Sequence, residues 1–232
     1  MQVIGEPSST SDPNLALSIL YGSMKNVLLS LSPFFDKAPI CVFSLSEEVD
    51  LLSQWRGYCP PGGGYSIGFR PQLLNQFLKT QNLYLEPCIY NEIKQEARVK
   101  EAVTNTRDIL LKNWTGTLKE NQKVLETHVA QFFIDFSRIA STLKHPSFSQ
   151  ESEWRIISDY IANKNMSFRV RKSMILPYFS ISFKDFEPFL IDEIIIGPAP
   201  EQSLAESSLR QFILQKKLNI SIKTSKIPYR EF

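Results

Sequence analysis

Two carboxylates one residue apart, Glu151 and Glu153, stand just ahead of a tryptophan and an arginine in Glu151-Ser152-Glu153-Trp154-Arg155-Ile156-Ile157. At the entrance to a strand, period-two spacing turns both acids to one face. Such a pair can raise one pKa and leave the other group ionised, or hold a ribose hydroxyl and polarise a leaving group. Exposed acids at a strand edge have the same spacing, so the pattern alone leaves both readings open.

The Trp-Arg dipeptide occurs a second time, in Ser53-Gln54-Trp55-Arg56-Gly57-Tyr58, so two of the chain's 3 tryptophans sit in these motifs. A Trp beside an Arg can bury a large ring while the planar guanidinium reaches a carboxylate or a phosphate bidentately. The acids are at hand: Glu47, Glu48 and Asp50 precede the first copy, Glu151 and Glu153 the second. The motifs read either as a paired Arg-carboxylate centre beneath a cleft or as two ion pairs locking a core. Both readings expect Trp55 and Trp154 to be buried and Arg56 and Arg155 to pair with carboxylates. Near the second copy in sequence, Lys144, His145, Arg155, Arg169, Arg171 and Lys172 could supply an anion pocket or a solvated face.

With 232 residues, 43% hydrophobic and 12% aromatic, the chain is expected to form a single domain over 1–232 with a substantial core. Its 26 Lys plus Arg against 24 Asp plus Glu leave a net charge of +2. That is no global field for nucleic acid or an anionic membrane, so any such binding must come from a local patch. Cys41, Cys59 and Cys88 are odd in number and widely spaced, which argues for reduced thiols inside a cell. With only His128 and His145, no metal site is expected. The chain has neither a signal-peptide start nor a run of about 18 apolar residues, which predicts a cytoplasmic protein without a membrane partner. Serine-hydrolase chemistry lacks its GxSxG, and kinase chemistry lacks its lysine and metal-binding signatures. Pro60-Pro61-Gly62-Gly63-Gly64 is followed by no GK[ST], so it reads as a turn or a lip over a ligand rather than a phosphate loop.

The elements that must position these residues follow from periodicity. Residues 1–14 are turn-forming and irregular; a helix runs from about Leu15 to Ser30 and Pro33 ends it. Ile40 to Ser44 reads as a buried strand, and Ser46-Glu47-Glu48 as a helix cap followed by acids. Tyr65 to Phe69 is a second strand. From about 92 to 143 apolar residues recur at threes and fours, a helical pair broken near Thr115-Gly116-Thr117 and stopped by Pro146. Strands then follow at Glu153–Ser158, Ser167–Val170, Ile175–Phe183, Glu193–Gly197 and Asn219–Thr224, with one helix over Gln202–Leu218. The fold class is α+β: a mixed, mainly antiparallel sheet with a helical pair inserted.

Six motifs in order, S-x-S-E, D-L-L-S-Q-W-R-G-Y, G-Y-S-I-G-F, K-H-P-x-F-x-x-E-x-E-W-R, I-I-I-G-P and S-K-I-P-Y-R, resemble the prokaryotic domain of unknown function numbered twenty-nine seventy-one, from about Cys41 to Arg230. Their order is similar to that of ADP-ribosyltransferase-like folds. That resemblance implies a site in which Ser44 and Ser46 shape a nicotinamide pocket, joined by Trp55, Arg56, Tyr58, Tyr65 and Arg155 for cofactor binding. Glu153, with Glu151, would stabilise a ribosyl oxocarbenium ion, and NAD would be the cofactor. It also implies an intracellular effector in phage defence or a toxin system. The alternatives are a non-catalytic module binding nucleotide or nucleic acid through Arg56, Arg155, Arg169 and Arg171, or a degenerate remnant, so enzyme and binding module both stay open. The Tyr-rich strand motif that family members carry ahead of an Asn-Asp-Pro-like turn has no counterpart before Ser11-Asp12-Pro13, which implies an N-terminal truncation.

Overall fold

The structure, a computed structural model, describes residues 13–29, 40–115, 118–159, 166–183 and 190–229. Residues 1–12 of the expected irregular start, the Pro33 stop, the Gly116-Thr117 break and Arg230 lie outside the described residues, while Pro13 and Asn14, expected to be irregular, open a helix. The chain divides into two compact units. One is helical and comprises Met1–Cys41, Ile89–Pro146 and Asp159–Met166; the other is β-rich and comprises Val42–Cys88, Ser147–Ser158 and Ser167–Phe232.

The β-rich unit is organised by the second Trp-Arg motif. Strand β4 (Glu153–Ser158) has Ile156 and Ile157 buried and forms the centre of a sheet in the order β1-β4-β3, with β1 (Val42–Ser46) and β3 (Leu83–Pro87) both antiparallel to it. The register sets Ser44 and Glu86 opposite Arg155, and Ser46 opposite Glu153. A second sheet has β2 (Tyr65–Phe69) antiparallel to β7 (Ile191–Ile196), and β7 parallel to β8 (Ser221–Thr224). The parallel pair needs a crossover, which helix α6 (Gln202–Lys216) supplies. A two-stranded hairpin, β5 (Ser167–Arg171) with β6 (Met174–Tyr178), completes the described strands. The class is α+β with mainly antiparallel, open sheets, as the sequence pattern predicts.

Three local expectations give way to the structure. Ser46 caps no helix: its hydroxyl donates to the Glu151 carbonyl at 2.7 Å and accepts from the Glu48 amide at 3.0 Å, and helix α2 (Leu52–Tyr58) begins six residues further on. Two elements, a helix and a strand, also lie between Phe69 and Glu92, where none is expected from sequence. Helix α3 (Pro71–Thr80) starts with Pro at its first turn, where the missing N–H costs nothing, and packs Leu74, Phe77 and Leu78 against Leu83, Ile156 and Leu190. Strand β3 follows after Asn82, whose φ of 53° makes the turn. Finally, Glu151 is outside β4. It ends a 3-10 turn over Pro146–Glu151, and Ser152 at φ 42° reverses the chain, so period-two spacing does not govern Glu151 and Glu153.

In the helical unit, α1 (Pro13–Leu29), α4 (Glu92–Asn113) and α5 (Leu118–Ala140) share a core of Leu20, Met24, Leu110, Leu125 and Phe132. Asn91 caps α4 by accepting from the Lys94 amide at 3.0 Å. The helical pair is inserted between β3 and β4, adjacent antiparallel strands that a hairpin turn would otherwise join. Its base is closed by Ile89 N–H to the Thr142 carbonyl at 2.9 Å and by the Gln95 amide, which donates to the carbonyls of Ile89 and Lys144 at 2.6 and 2.8 Å. No helix among the described residues is long and apolar enough to cross a membrane.

Candidate functional site

Strand β1 is the outer strand of one sheet and β2 the outer strand of the other, and both line a cleft of about 800 Å³ within the β-rich unit. The loop after β1, helix α2, the turn before β4 and the start of β7 supply the rest of the wall. Phe43, Tyr58, Tyr65 and Ile67 are well exposed there, unusual for large apolar side chains unless something covers them. The volume is in the range of small-molecule sites.

The lining is charged one way. Six carboxylates, those of Glu47, Glu48, Glu151, Glu153, Asp192 and Glu193, line the cleft, and among its lining residues there is no lysine, arginine or histidine. Three of the six are held by cations beyond the wall. Arg155 Nε donates to Glu153 Oε1 at 2.8 Å, Arg70 Nε to Asp192 at 3.1 Å, and Lys223 pairs with Glu193. Glu47 accepts the indole N–H of Trp154 at 2.6 Å and donates its own backbone N–H to Ser152 at 3.1 Å, which ties the loop after β1 to the mouth of β4. This acidic lining suits a cationic or cation-forming ligand.

A second node holds the wall in place. Asp50 accepts from the Trp55 indole at 2.8 Å, the Ser225 hydroxyl at 2.6 Å and the Lys226 amide at 2.9 Å. Burial alone would push its carboxyl up. The bonds from Ser225, Lys226 and Trp55, with the Lys226 charge, outweigh that and hold it below the usual carboxylate value. The six-membered ring of Trp55 sits against Gly197, where an added Cβ would meet ring carbons at 2.8 and 2.9 Å. Gly197 in turn donates to the Gly64 carbonyl at 2.8 Å. Four of the sequence motifs, those of Trp55, Gly64, Gly197 and Ser225, thus meet around one indole.

Of the residues expected in a site, Ser44, Ser46, Trp55, Tyr58, Tyr65, Glu151 and Glu153 all line this one cleft. Arg56 is exposed on α2 and is not among the lining residues, and Arg155 serves Glu153. Trp55 is buried as expected and Trp154 is half-buried. The acids ahead of the first motif bond indoles: Asp50 takes Trp55 and Glu47 takes Trp154. The expected basic cluster is divided, with Lys144 and His145 in the helical unit and Arg155, Arg169, Arg171 and Lys172 in the β-rich one. Asp192 and Glu193 are not among the residues expected from sequence, though adjacent acids at the head of an Ile-rich strand are the signal that marks them. Cys59 also lines the cleft, but burial pushes its thiol up, which disfavours a thiolate nucleophile. Among the described residues no group of three His, Cys, Asp or Glu side chains is placed to hold a metal ion.

Residues 54–156 match the model of a family described as "Protein of unknown function (DUF2971)". The match opens at the first Trp-Arg motif and closes within the second, a narrower span than the motifs outline. Neither the curated proteins nor the solved structures contain a match.

Proposed function

Because the family whose model residues 54–156 match is described only as of unknown function, we propose from the cleft itself that the protein is an ADP-ribosyltransferase-like enzyme acting on NAD. The observation that carries this reading is convergence. Seven residues chosen for nicotinamide and ribose chemistry line one cleft whose charged side chains are all acidic.

The nicotinamide ring of NAD is a cation bound to ribose. Breaking the glycosidic C–N bond leaves the electron pair on the ring nitrogen, so nicotinamide departs neutral and the positive charge passes to the ribosyl carbon. Carboxylates that face that carbon stabilise the charge where it develops. In this reading Tyr58 and Tyr65 stack on the nicotinamide, Ser44 and Ser46 shape its pocket, and Glu153 faces the oxocarbenium ion with Arg155 fixing its orientation. Glu151 takes the proton of the attacking acceptor, whose oxygen or nitrogen forms the new bond to the ribosyl carbon. The lining fits the nicotinamide-ribose end of NAD; it offers the pyrophosphate no cation. An NAD-consuming chain of this kind would act in the cytoplasm, where Cys41, Cys59 and Cys88 stay reduced, as a prokaryotic effector against phage or competing genetic elements.

A second reading has its own observation: Glu153 is only 5% exposed and already paired with Arg155, as a structural ion pair would be. The protein would then be a non-catalytic binding module or a degenerate copy. Glu153→Gln separates the two. The enzyme reading expects NAD turnover by the wild type, assayed with cell extract as a source of acceptor, and its loss in the variant beyond what any fall in melting temperature explains. Absence of turnover by the wild type, together with a destabilised Glu153→Gln, rejects it.

A further inference from the structure

Strands β5 and β6 pair only with each other among the described residues. Their register puts Phe168, Val170, Ile175 and Pro177 on one face, and Arg169, Arg171, Met174, Leu176 and Tyr178 on the other. The apolar face is bare: Phe168, Val170 and Ile175 are 63%, 80% and 68% exposed. On the other face, Met174 opposite Arg171 is 57% exposed. A lone two-stranded hairpin is marginal in water, and an uncovered apolar face on it marks a contact surface. From Met166 to Phe183 the chain has three cations, Arg169, Arg171 and Lys172, and no Asp or Glu. This is a local basic patch of the kind that, at a net charge of +2, binding to an anionic partner requires.

We propose that this hairpin docks the protein, tip first, on an anionic lipid surface. Phosphate alone would attract the cations, whether on a lipid or on a nucleic acid. The residues nearest the Lys172-Ser173 turn decide between them. Val170, Met174 and Ile175 are aliphatic: they gain by moving into the acyl boundary and gain nothing from a sugar-phosphate backbone. The planar side chains that could stack on bases, Phe168 and Tyr178, lie at the far end of the hairpin, and Arg169 already sits over the Tyr178 ring at 5.6 Å. The open strand edges limit the depth, because unpaired backbone groups are not tolerated in hydrocarbon. The tip therefore reaches the boundary while Arg171 and Lys172 stay at the headgroups. This docking stands apart from the NAD reading and uses none of the cleft residues.

The test is co-flotation of the full chain with phosphatidylcholine vesicles that contain, or lack, about 30% phosphatidylserine. Binding is expected only to the anionic vesicles, falling with salt. Arg171→Gln and Lys172→Gln should each weaken it about fivefold, and Arg171→Lys should preserve it. Val170→Ser combined with Ile175→Ser should abolish it at unchanged charge, with melting temperatures equal to wild type because these side chains are exposed. Equal binding to neutral vesicles, no binding at all, or indifference to Arg171→Gln overturns the proposal. So does retention of a labelled oligonucleotide without vesicle binding, which would assign the hairpin to nucleic acid. A dimer lost in the Val170→Ser, Ile175→Ser variant would assign it to a second copy, and should that variant fail to fold, Arg171→Gln against Arg171→Lys still decides.

Discussion

Asp50 joins parts of the chain that no local pattern connects: its partner Ser225 is 175 residues away. Its folded-state pKa lies below the usual carboxyl value, so its contribution to stability is complete above the unfolded-state pKa and is lost as pH falls through the folded-state one. Asp50→Asn keeps the shape but removes the charge and one acceptor oxygen. At neutral pH it should cost about 1.5 to 3 kcal/mol, the worth of a hydrogen bond to a charged group. The deficit should shrink as the wild type is acidified through the carboxyl range. Urea unfolding at a series of pH values measures this, and a deficit that stays constant into acid would show that Asp50 is not ionised in the fold. The sequence makes the indoles and acids visible as groups but not their pairing. Neighbours on a strand point to opposite faces, so Trp154 and Arg155 cannot share a carboxylate: Trp154 meets Glu47, and Arg155 meets Glu153 on its own face.

At the scale of elements, what the sequence makes legible depends on how much of an element's pattern is its own. The helical pair is read from a long apolar period, and β4 from a β-branched run. Helix α3 is legible too, in Leu73, Leu74, Phe77 and Leu78 after a proline, but the adjacent glycine loop draws the eye to chemistry instead. The cap read into Ser46 fails because its hydroxyl finds a tertiary partner, the Glu151 carbonyl, that no local rule supplies. Glycines divide the same way. Gly57 on α2 has nothing within 4 Å of an added Cβ, whereas Gly197 at the end of β7 has the Trp55 ring at 2.8 Å and the Gly64 carbonyl at 3.2 Å. Gly57→Ala should therefore stabilise, by up to about 1 kcal/mol from helix propensity. Gly197→Ala should destabilise by about 1 to 3 kcal/mol through overpacking against Trp55. In thermal denaturation the two should shift the midpoint in opposite directions, by about 2 to 4 °C per kcal/mol for a chain of this size. A neutral Gly197→Ala would mean that the Trp55 wall is looser than the structure shows.

For the whole molecule, the expectation of a single domain over 1–232 can be put to a thermodynamic test. The chain passes between the helical and the β-rich unit five times, at Cys41/Val42, Cys88/Ile89, Pro146/Ser147, Ser158/Asp159 and Met166/Ser167. Each unit is thus assembled from three separated segments, and neither is a continuous stretch that could fold as it emerges. Composition does not change at these crossings, which is why the sequence offers no boundary there. Unfolding the helical unit alone would release the helical pair between β3 and β4, turning a closed connection into a loop of more than 50 residues and charging its closure entropy to the β1-β4-β3 sheet. We therefore predict that the two units melt together. Scanning calorimetry should give one transition, with a calorimetric enthalpy of about 160 kcal/mol for 232 residues and a ratio to the van't Hoff enthalpy near ~1. Two resolved peaks, or a ratio approaching ~2, would show that the units are separate folding domains despite the shared chain.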